Sequence, residues 1–466
     1  MATTQNANSP AQGLLTDEQK RIYRKITQRL IPFLFICYVF AYLDRVNIGF
    51  AAIHIKEDLG FSDAVYGLGA GLFFIGYFMF EIPSNLILEK IGARLTLMRI
   101  MIVWGLISGS FAFITTPTQF YIARFLLGAF EAGFFPGVVL YLTFWYPSAM
   151  RGRIIAMFMT AIAVAGILGG PISGYLLSRM DGVNGWTGWQ WMFVIEAIPT
   201  VVLGAAVFFV LSNRPSEATW LSQNEKAVVA DVIANSEAQS GQKTHHFTNA
   251  LKDPRLYLLG AVYFTIAASL YIISFWLPSV VREHGVTDSF EIGMITAIPY
   301  IAGIVGTLLI SRHSDRKQER RWHVAFCMSL AALGLIAAGV YQESLVFSLF
   351  ALNLTAIGIL TAMPIFWTIP TSYMTGSAAA GGIAAINSLG LLGGFASPSL
   401  IGWIKASTGN IEFGLYFFAV SLVIGATALL LGIPAWLIGT KHAAALAQRT
   451  QNTTRTQIIQ KLSKPN

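Results

Sequence analysis

Charge is scarce in this chain: Asp, Glu, Lys and Arg make up 12% of it, apolar residues make up 55%, and the mean hydropathy is +0.61. A soluble domain could not keep that balance in water, so a lipid bilayer is the expected solvent for most of the chain. Cysteine is nearly absent as well. Cys37 and Cys327 stand alone in or beside apolar stretches, without the spacing of a metal site or redox pair, and read as buried packing residues. The seven histidines fall in loops or at helix ends and no His-Glu-x-x-His occurs, so neither a metal nor another cofactor is expected. An enzyme buried in the bilayer would need a nucleophile with its base at that depth, and none is visible.

What is plentiful is uninterrupted apolar sequence. A membrane-spanning helix needs about 20 mainly apolar residues. About twelve such runs recur between Leu30 and Ile438. The expected fold is therefore all-α, with twelve transmembrane helices. Residues 1–29 are polar and end in Lys20, Arg21, Arg24, Lys25 and Arg29, so no cleaved signal peptide is expected and the first helix stays.

The net charge of +8 does not call for nucleic acid, because its distribution explains it. Lys90, Arg94, Arg151, Arg153, Arg214, Lys252, Arg255, Arg312, Arg316, Lys317, Arg320 and Arg321 fall in alternate loops, whereas the opposite loops hold little beyond Lys56, Arg179, Arg282 and Lys405. By the positive-inside rule both termini and the central loop face the cytoplasm.

Residues 212–255 are the only long polar interruption, with Pro215 and the run Gly241–His246. They divide the chain into a tail (1–29), six helices (30–211), a central loop (212–255), six more helices (256–438) and a second tail (439–466). The turn after helix 2 reads Leu88-Glu89-Lys90-Ile91-Gly92-Ala93-Arg94, and the turn after helix 8 reads Ser311-Arg312-His313-Ser314-Asp315-Arg316-Lys317. Duplicated halves with charged turns at matching places resemble the major facilitator superfamily, whose Gly-x-x-x-Asp-Arg-x-Gly-Arg loops these two approximate without completing. Glycines crowd helices 2, 5 and 11, which suits close helix packing; Gly67-Leu68-Gly69-Ala70-Gly71 lies in an apolar span with no preceding strand and is no nucleotide loop.

Charges inside a bilayer cost several kcal/mol unless paired or hydrated, so each one is a functional candidate. The first half has Asp44 and Arg45 in helix 1 and Arg124 and Glu131 in helix 4. Tyr38, Tyr42, Arg45 and Gly49 share one face of helix 1, and Asp44 is turned about 100° from Arg45. Arg124 and Glu131, seven residues apart, share a face of helix 4. The simplest pairing sets Asp44 against Arg124 and Glu131 against Arg45. Glu81 and Glu196 are each followed closely by a proline and are placed near helix ends. The second half offers neutral groups instead, among them Tyr300, Asn353, Trp367, Thr368, Thr371, Asn387 and Ser388. Together the halves suit a substrate with an anionic end for Arg45, whose planar fork grips a carboxylate, and a polar or aromatic end for the second half.

Three tracts carry a finer resemblance: Tyr42-Leu43-Asp44-Arg45-Val46-Asn47-Ile48, Glu131-Ala132-Gly133-Phe134-Phe135-Pro136-Gly137 and Phe366-Trp367-Thr368-Ile369-Pro370-Thr371-Ser372. They look like the anion:cation symporter family over nearly the whole chain, and Ala380-Gly381-Gly382-Ile383-Ala384-Ala385-Ile386-Asn387-Ser388 most resembles its tartrate-type and related carboxylate permeases. The resemblance implies proton symport of a small organic carboxylate across a bacterial inner membrane by a monomer. It makes Asp44 and Glu131 the proton-carrying acids, Arg45 the substrate anchor, and Tyr42, Tyr77, Trp367, Thr368 and Asn387 pocket residues. The galactonate-carrying branch has a glutamine in helix 5 where this chain reads Ile162-Ala163-Val164. An organic anion antiporter and a non-transporting carboxylate sensor are the alternative readings; a phosphate-ester antiporter would need a basic residue in each half of the pocket.

Overall fold

The computed structural model describes residues 16–239, 253–317, 319–341, 343–373 and 376–434, and among these there are helices and turns but no strand. The helices are α1 Asp17–Leu59, α2 Asp63–Ile91, α3 Ala93–Ser110, α4 Pro117–Glu131, α5 Phe134–Trp145, α6 Ser148–Arg179, α7 Gly188–Val210, α8 Gln223–Gln239, α9 Pro254–Glu283, α10 Ser289–Lys317, α11 Arg321–Val340, α12 Leu345–Tyr373, α13 Gly376–Thr408 and α14 Glu412–Gly432. Twelve stretches among the described residues are long and apolar enough to cross a membrane, with α4 and α5 counted as one and α8 not included. The expected tail before residue 16, the run Gly241–His246 and the tail 439–466 lie outside the described residues.

Two elements depart from expectation. Helix α1 begins at Asp17, not at residue 30, because Thr16 and Gln19 form a reciprocal cap and Ile22, Tyr23, Ile26 and Leu30 give the basic segment a buried face. Its lysines and arginines point outward from that face. The stretch expected as a central loop contains α8, which is held to α1 by Lys25 and Glu225 at 2.8 Å. That ammonium hydrogen bond keeps the Glu225 carboxyl below its usual range. Just before α8, Trp220 stacks on Trp145 with ring centroids 5.6 Å apart.

The run expected as one helix over 119–145 breaks after Glu131. Pro136 has no N–H to give the Ala132 carbonyl, and a Cβ on Gly133 would lie 1.8 Å from Ser84 Oγ, so only glycine lets α2 approach there. The break leaves Glu131 as the last residue of α4.

Within the first group of helices α1 packs on α6 and α7, α2 on α4, and α3 on α7; in the second, α9 packs on α13 and α14, α10 on α12, and α11 on α12 and α14. Three seams join the groups: α2 with α13 and α6 with α10, both antiparallel, and α1 with α9, which run parallel so that their C-terminal ends meet. Glycine sets their spacing, as expected for the second, fifth and eleventh spans, here α2, α6 and α13. A Cβ on Gly170 would stand 2.3 Å from the Gly293 carbonyl oxygen, and one on Gly67 2.3 Å from that of Pro398. These closest approaches lie toward the end of the molecule opposite the start of α1. There Arg282 pairs with Glu57 at 3.1 Å, and Lys405 bridges Glu283 and Asp63. That end is shut.

Candidate functional site

Helix α1 is buried on nearly all sides between residues 41 and 53, so its polar residues reach only other protein groups. Arg45, 7% exposed, turns toward α4 and α9. Its Nε donates to Glu131 Oε1 at 3.1 Å, its Nη2 donates to the same oxygen, and its Nη1 donates to the Tyr271 hydroxyl at 3.2 Å. Among the described residues, Glu131 Oε2 is buried without a hydrogen-bond partner. Aromatic rings wall the guanidinium: Phe73, Tyr77 and Tyr42 have centroids 5.2, 5.4 and 5.9 Å from its carbon. A cation over a ring face is held by the ring's quadrupole, which lowers the cost of keeping Arg45 out of water. The Tyr42 hydroxyl lies 3.5 Å from Ser274 Oγ, which lies 3.2 Å from the Tyr300 hydroxyl, so polar contacts continue across α1, α9 and α10.

Asp44 belongs to a different neighbourhood. Its Oδ2 accepts from Trp104 Nε1 at 2.9 Å and Thr200 Oγ1 at 2.7 Å, and its Oδ1 accepts from Ser108 Oγ at 2.8 Å. The expected Asp44–Arg124 pair is therefore absent. Arg124 faces α2, where it donates to the carbonyls of Gly69 and Ala70 at 3.3 and 3.2 Å and lies 5.1 Å from the Phe73 ring centroid. The 100° turn between Asp44 and Arg45 explains the outcome, because it aims Asp44 at α3 and α7 and away from α4.

The structure thus brings Arg45, Glu131, Tyr42 and Tyr77 together, and leaves Asp44 and Arg124 on separate flanks. Of the residues expected from the second half, Trp367 packs edge-on against Tyr263 at 4.8 Å, and the Thr368 hydroxyl bonds its own helix at the Ile365 carbonyl, 2.6 Å away. Asn387 Nδ2 donates to Glu81 Oε1 at 3.2 Å.

Two carboxylates expected near helix ends are interior. Glu81 in α2 is 6% exposed and Glu196 in α7 is 3% exposed; both helices run on through Pro83 and Pro199. Proline inside a packed membrane helix is tolerated because neighbouring helices satisfy the freed groups. Glu196 accepts from Ser173 Oγ at 2.7 Å and from Asn47 Nδ2 at 3.0 Å. A period count would have found Glu81, since it follows Tyr77 by one turn on the same face.

A buried guanidinium inside a twelve-helix bundle, met by one acid and ringed by aromatic groups, is the interior of a membrane carrier. The family model of the Major Facilitator Superfamily matches residues 34–398, and the chain belongs to that superfamily. It is a multi-pass membrane transporter, as the resemblance implied. Among its relatives, a "Putative tartrate transporter" of Agrobacterium vitis is 48% identical over 89% of this chain and 95% of its own length. The "Putative metabolite transport protein NicT" of Pseudomonas putida is 45% identical over 90% and 96%. A "Quinolone resistance transporter" of Acinetobacter baumannii is 43% identical over 88% and 94%. The Escherichia coli xylose transporter XylE, in a partially occluded inward-open conformation, shares the fold with a TM-score of 0.70 at 14% identity, over 88% of this chain and 99% of that one.

Proposed function

We propose that this chain is a proton-coupled symporter of a small organic carboxylate, working by alternating access as a monomer in a bacterial inner membrane with both termini cytoplasmic. In this reading the polar stretch 212–255 links two six-helix bundles that rock about the buried Arg45. The observation that carries it is the Arg45–Glu131 contact, in which two guanidinium nitrogens meet a single carboxylate oxygen. A carboxylate of the protein already occupies the place where a substrate carboxylate would be gripped. While ionised, Glu131 competes with substrate for Arg45; once protonated, it releases the fork to an incoming anion. Proton and substrate then favour each other's binding, as linkage requires. Asp44, held by three neutral donors and no cation, is the second proton-carrying acid.

One relative bears on the substrate. The tartrate name of the Agrobacterium vitis protein supports a carboxylate, and the phenolic and indole rings around the site suit a sugar acid, a hydroxy acid or an aromatic acid. Trp367, Thr368 and Asn387 contact the far end and do not titrate in this scheme. The test is uptake into proteoliposomes of tartrate, gluconate, phthalate and hydroxyphenylacetate, with and without an inward proton gradient. Gradient-driven accumulation of at least one is expected. Uptake of none of them, or uptake indifferent to the proton gradient, overturns the reading.

A further inference from the structure

The α2–α13 seam changes character along its length. From Asp63 to Gly71 the two backbones touch, with Gly67 against Pro398 and Gly402, and Gly71 against Phe395. Further along the same antiparallel register, at Glu81, side chains cross the seam. Glu81 Oε1 accepts from Asn387 Nδ2 at 3.2 Å, and Glu81 Oε2 accepts from Ser388 Oγ at 3.4 Å. Both oxygens act as acceptors, and among the described residues no lysine or arginine pairs with this carboxylate. One turn back on its own face stands Tyr77, which walls Arg45. Glu81 is therefore an acceptor one helical turn beyond the wall of the Arg45 pocket, held by long hydrogen bonds that cross between the two groups of helices.

A carboxylate with no cation partner gains little from such a position unless it is offered donors there. A substrate hydroxyl that displaces Asn387 or Ser388 replaces the lost donor, whereas a methylene in the same place leaves the acceptor unsatisfied. We propose that Glu81 reads the end of the substrate remote from Arg45: substrate hydroxyls take over the hydrogen bonds now made by Asn387 and Ser388, so the carrier selects hydroxylated carboxylates over hydroxyl-free ones of the same length. The inference rests on the reading of Arg45 as the carboxylate anchor.

The experiment is a cycle of ligand and protein changes on the purified full-length carrier, with affinities measured by competition or calorimetry for gluconate against hexanoate and tartrate against succinate. A hydrogen bond to a charged group corresponds to about 10- to 100-fold in affinity, so wild type should prefer the hydroxylated member of each pair by about that factor. Glu81→Leu should shrink the preference to within about threefold, and Glu81→Gln, which keeps one acceptor oxygen, should fall between. The wild-type preference is measured without any variant, so a Glu81→Leu protein that fails to fold leaves Glu81→Gln and the wild type to decide. Equal preference in wild type and in the Glu81 variants overturns the proposal, as does failure of wild type to bind either hydroxylated member. Arg45→Ala separates the two readings. If it loses affinity for every compound while the Glu81 variants keep the wild-type preference, the anchor stands and only the Glu81 assignment falls; undiminished affinity in Arg45→Ala removes both.

Discussion

Asp44 and Arg45 are consecutive residues that share no hydrogen-bond partner: Asp44 is held by Trp104, Ser108 and Thr200 of α3 and α7, and Arg45 by Glu131 and Tyr271 of α4 and α9. One turn of α1 thus serves two sites. The Arg45 side opens toward the second group of helices, and the Asp44 side lies wholly within the first. A substrate on Arg45 would touch both groups, whereas a proton on Asp44 would change interactions inside one of them. Their substitutions should therefore fail differently.

Arg45→Lys should reduce uptake to background although the charge is conserved. Three separate guanidinium nitrogens are engaged at this site, and a single ammonium on a flexible stem cannot engage Glu131 and Tyr271 together or grip a carboxylate in two places. Affinity is expected to fall at least about tenfold, from the loss of one hydrogen bond between charged groups. Near-normal uptake by this variant, measured in proteoliposomes, would exclude Arg45 as the anchor.

Asp44→Asn should fold yet lose proton-driven accumulation. The amide oxygen can keep Trp104 and Thr200, and its NH2 can face Ser108, whose hydroxyl turns to accept; the indole N–H, a donor only, fixes this orientation. Asp44→Leu is the contrasting variant. It strands the buried Trp104 N–H, a loss of about 1–3 kcal/mol, and should lower the unfolding midpoint in detergent where Asp44→Asn does not. An Asp44→Asn carrier that accumulates substrate as wild type does would remove Asp44 from coupling.

The fold was largely legible in the order of residues. Apolar runs of bilayer length, and glycines grouped on the spans that became α2, α6 and α13, anticipate the spans and the helices that meet. The Arg45–Glu131 pair was legible as well, because helix periodicity puts each residue on an inward face. The Asp44–Arg124 pair was misread because charge matching ignores neutral donors: nothing in the local spacing reveals that Trp104, Ser108 and Thr200, from two distant helices, converge on one carboxylate. Glu81 and Glu196 were misplaced for a related reason. Each precedes a proline, which ends helices in water, but here the surrounding helices carry α2 and α7 past it. Helix α8 was hidden because its apolar face is short: Val229 is buried and Val228, Val232 and Ile233 pack beside it, four residues inside an otherwise polar stretch.

Gly170→Val should loosen the closed end. The added Cβ would meet the Gly293 carbonyl oxygen at 2.3 Å, and that atom, being backbone, cannot swing aside as the neighbouring Thr296 side chain could. Overpacking costs about 1–3 kcal/mol, enough to shift a two-state equilibrium by at least about fivefold. A cysteine at Ser289, buried in the α6–α10 seam, reports the change through its rate of reaction with a membrane-impermeant thiol reagent; Cys37 and Cys327 are buried and give little background. Labelling should rise at least about fivefold, in step with that shift. Unchanged labelling with normal transport would mean that this seam does not govern closure.

Glu131→Gln separates binding from coupling. Glu131 Oε1 takes both hydrogen bonds from Arg45, while Oε2 has none, so a proton on Oε2 could be added without displacing any partner. Glutamine reproduces that neutral form: its carbonyl can face Arg45 where Oε1 stands, and its NH2 can take the place of Oε2. The guanidinium then keeps a hydrogen bond but loses its ion pair, so an incoming carboxylate competes against a weaker partner. Substrate affinity in Glu131→Gln should therefore equal or exceed that of wild type, by up to about tenfold, and exchange of labelled for unlabelled substrate across the membrane should persist. Accumulation against a gradient should fail, because the position can no longer take up a proton on one side and release it on the other. Affinity should also lose the part of its pH dependence that comes from protonating Glu131, since wild type binds more tightly as that acid becomes neutral. Unimpaired proton-driven accumulation in a folded, membrane-inserted variant would take Glu131 out of the coupling mechanism and leave Asp44 to carry it alone.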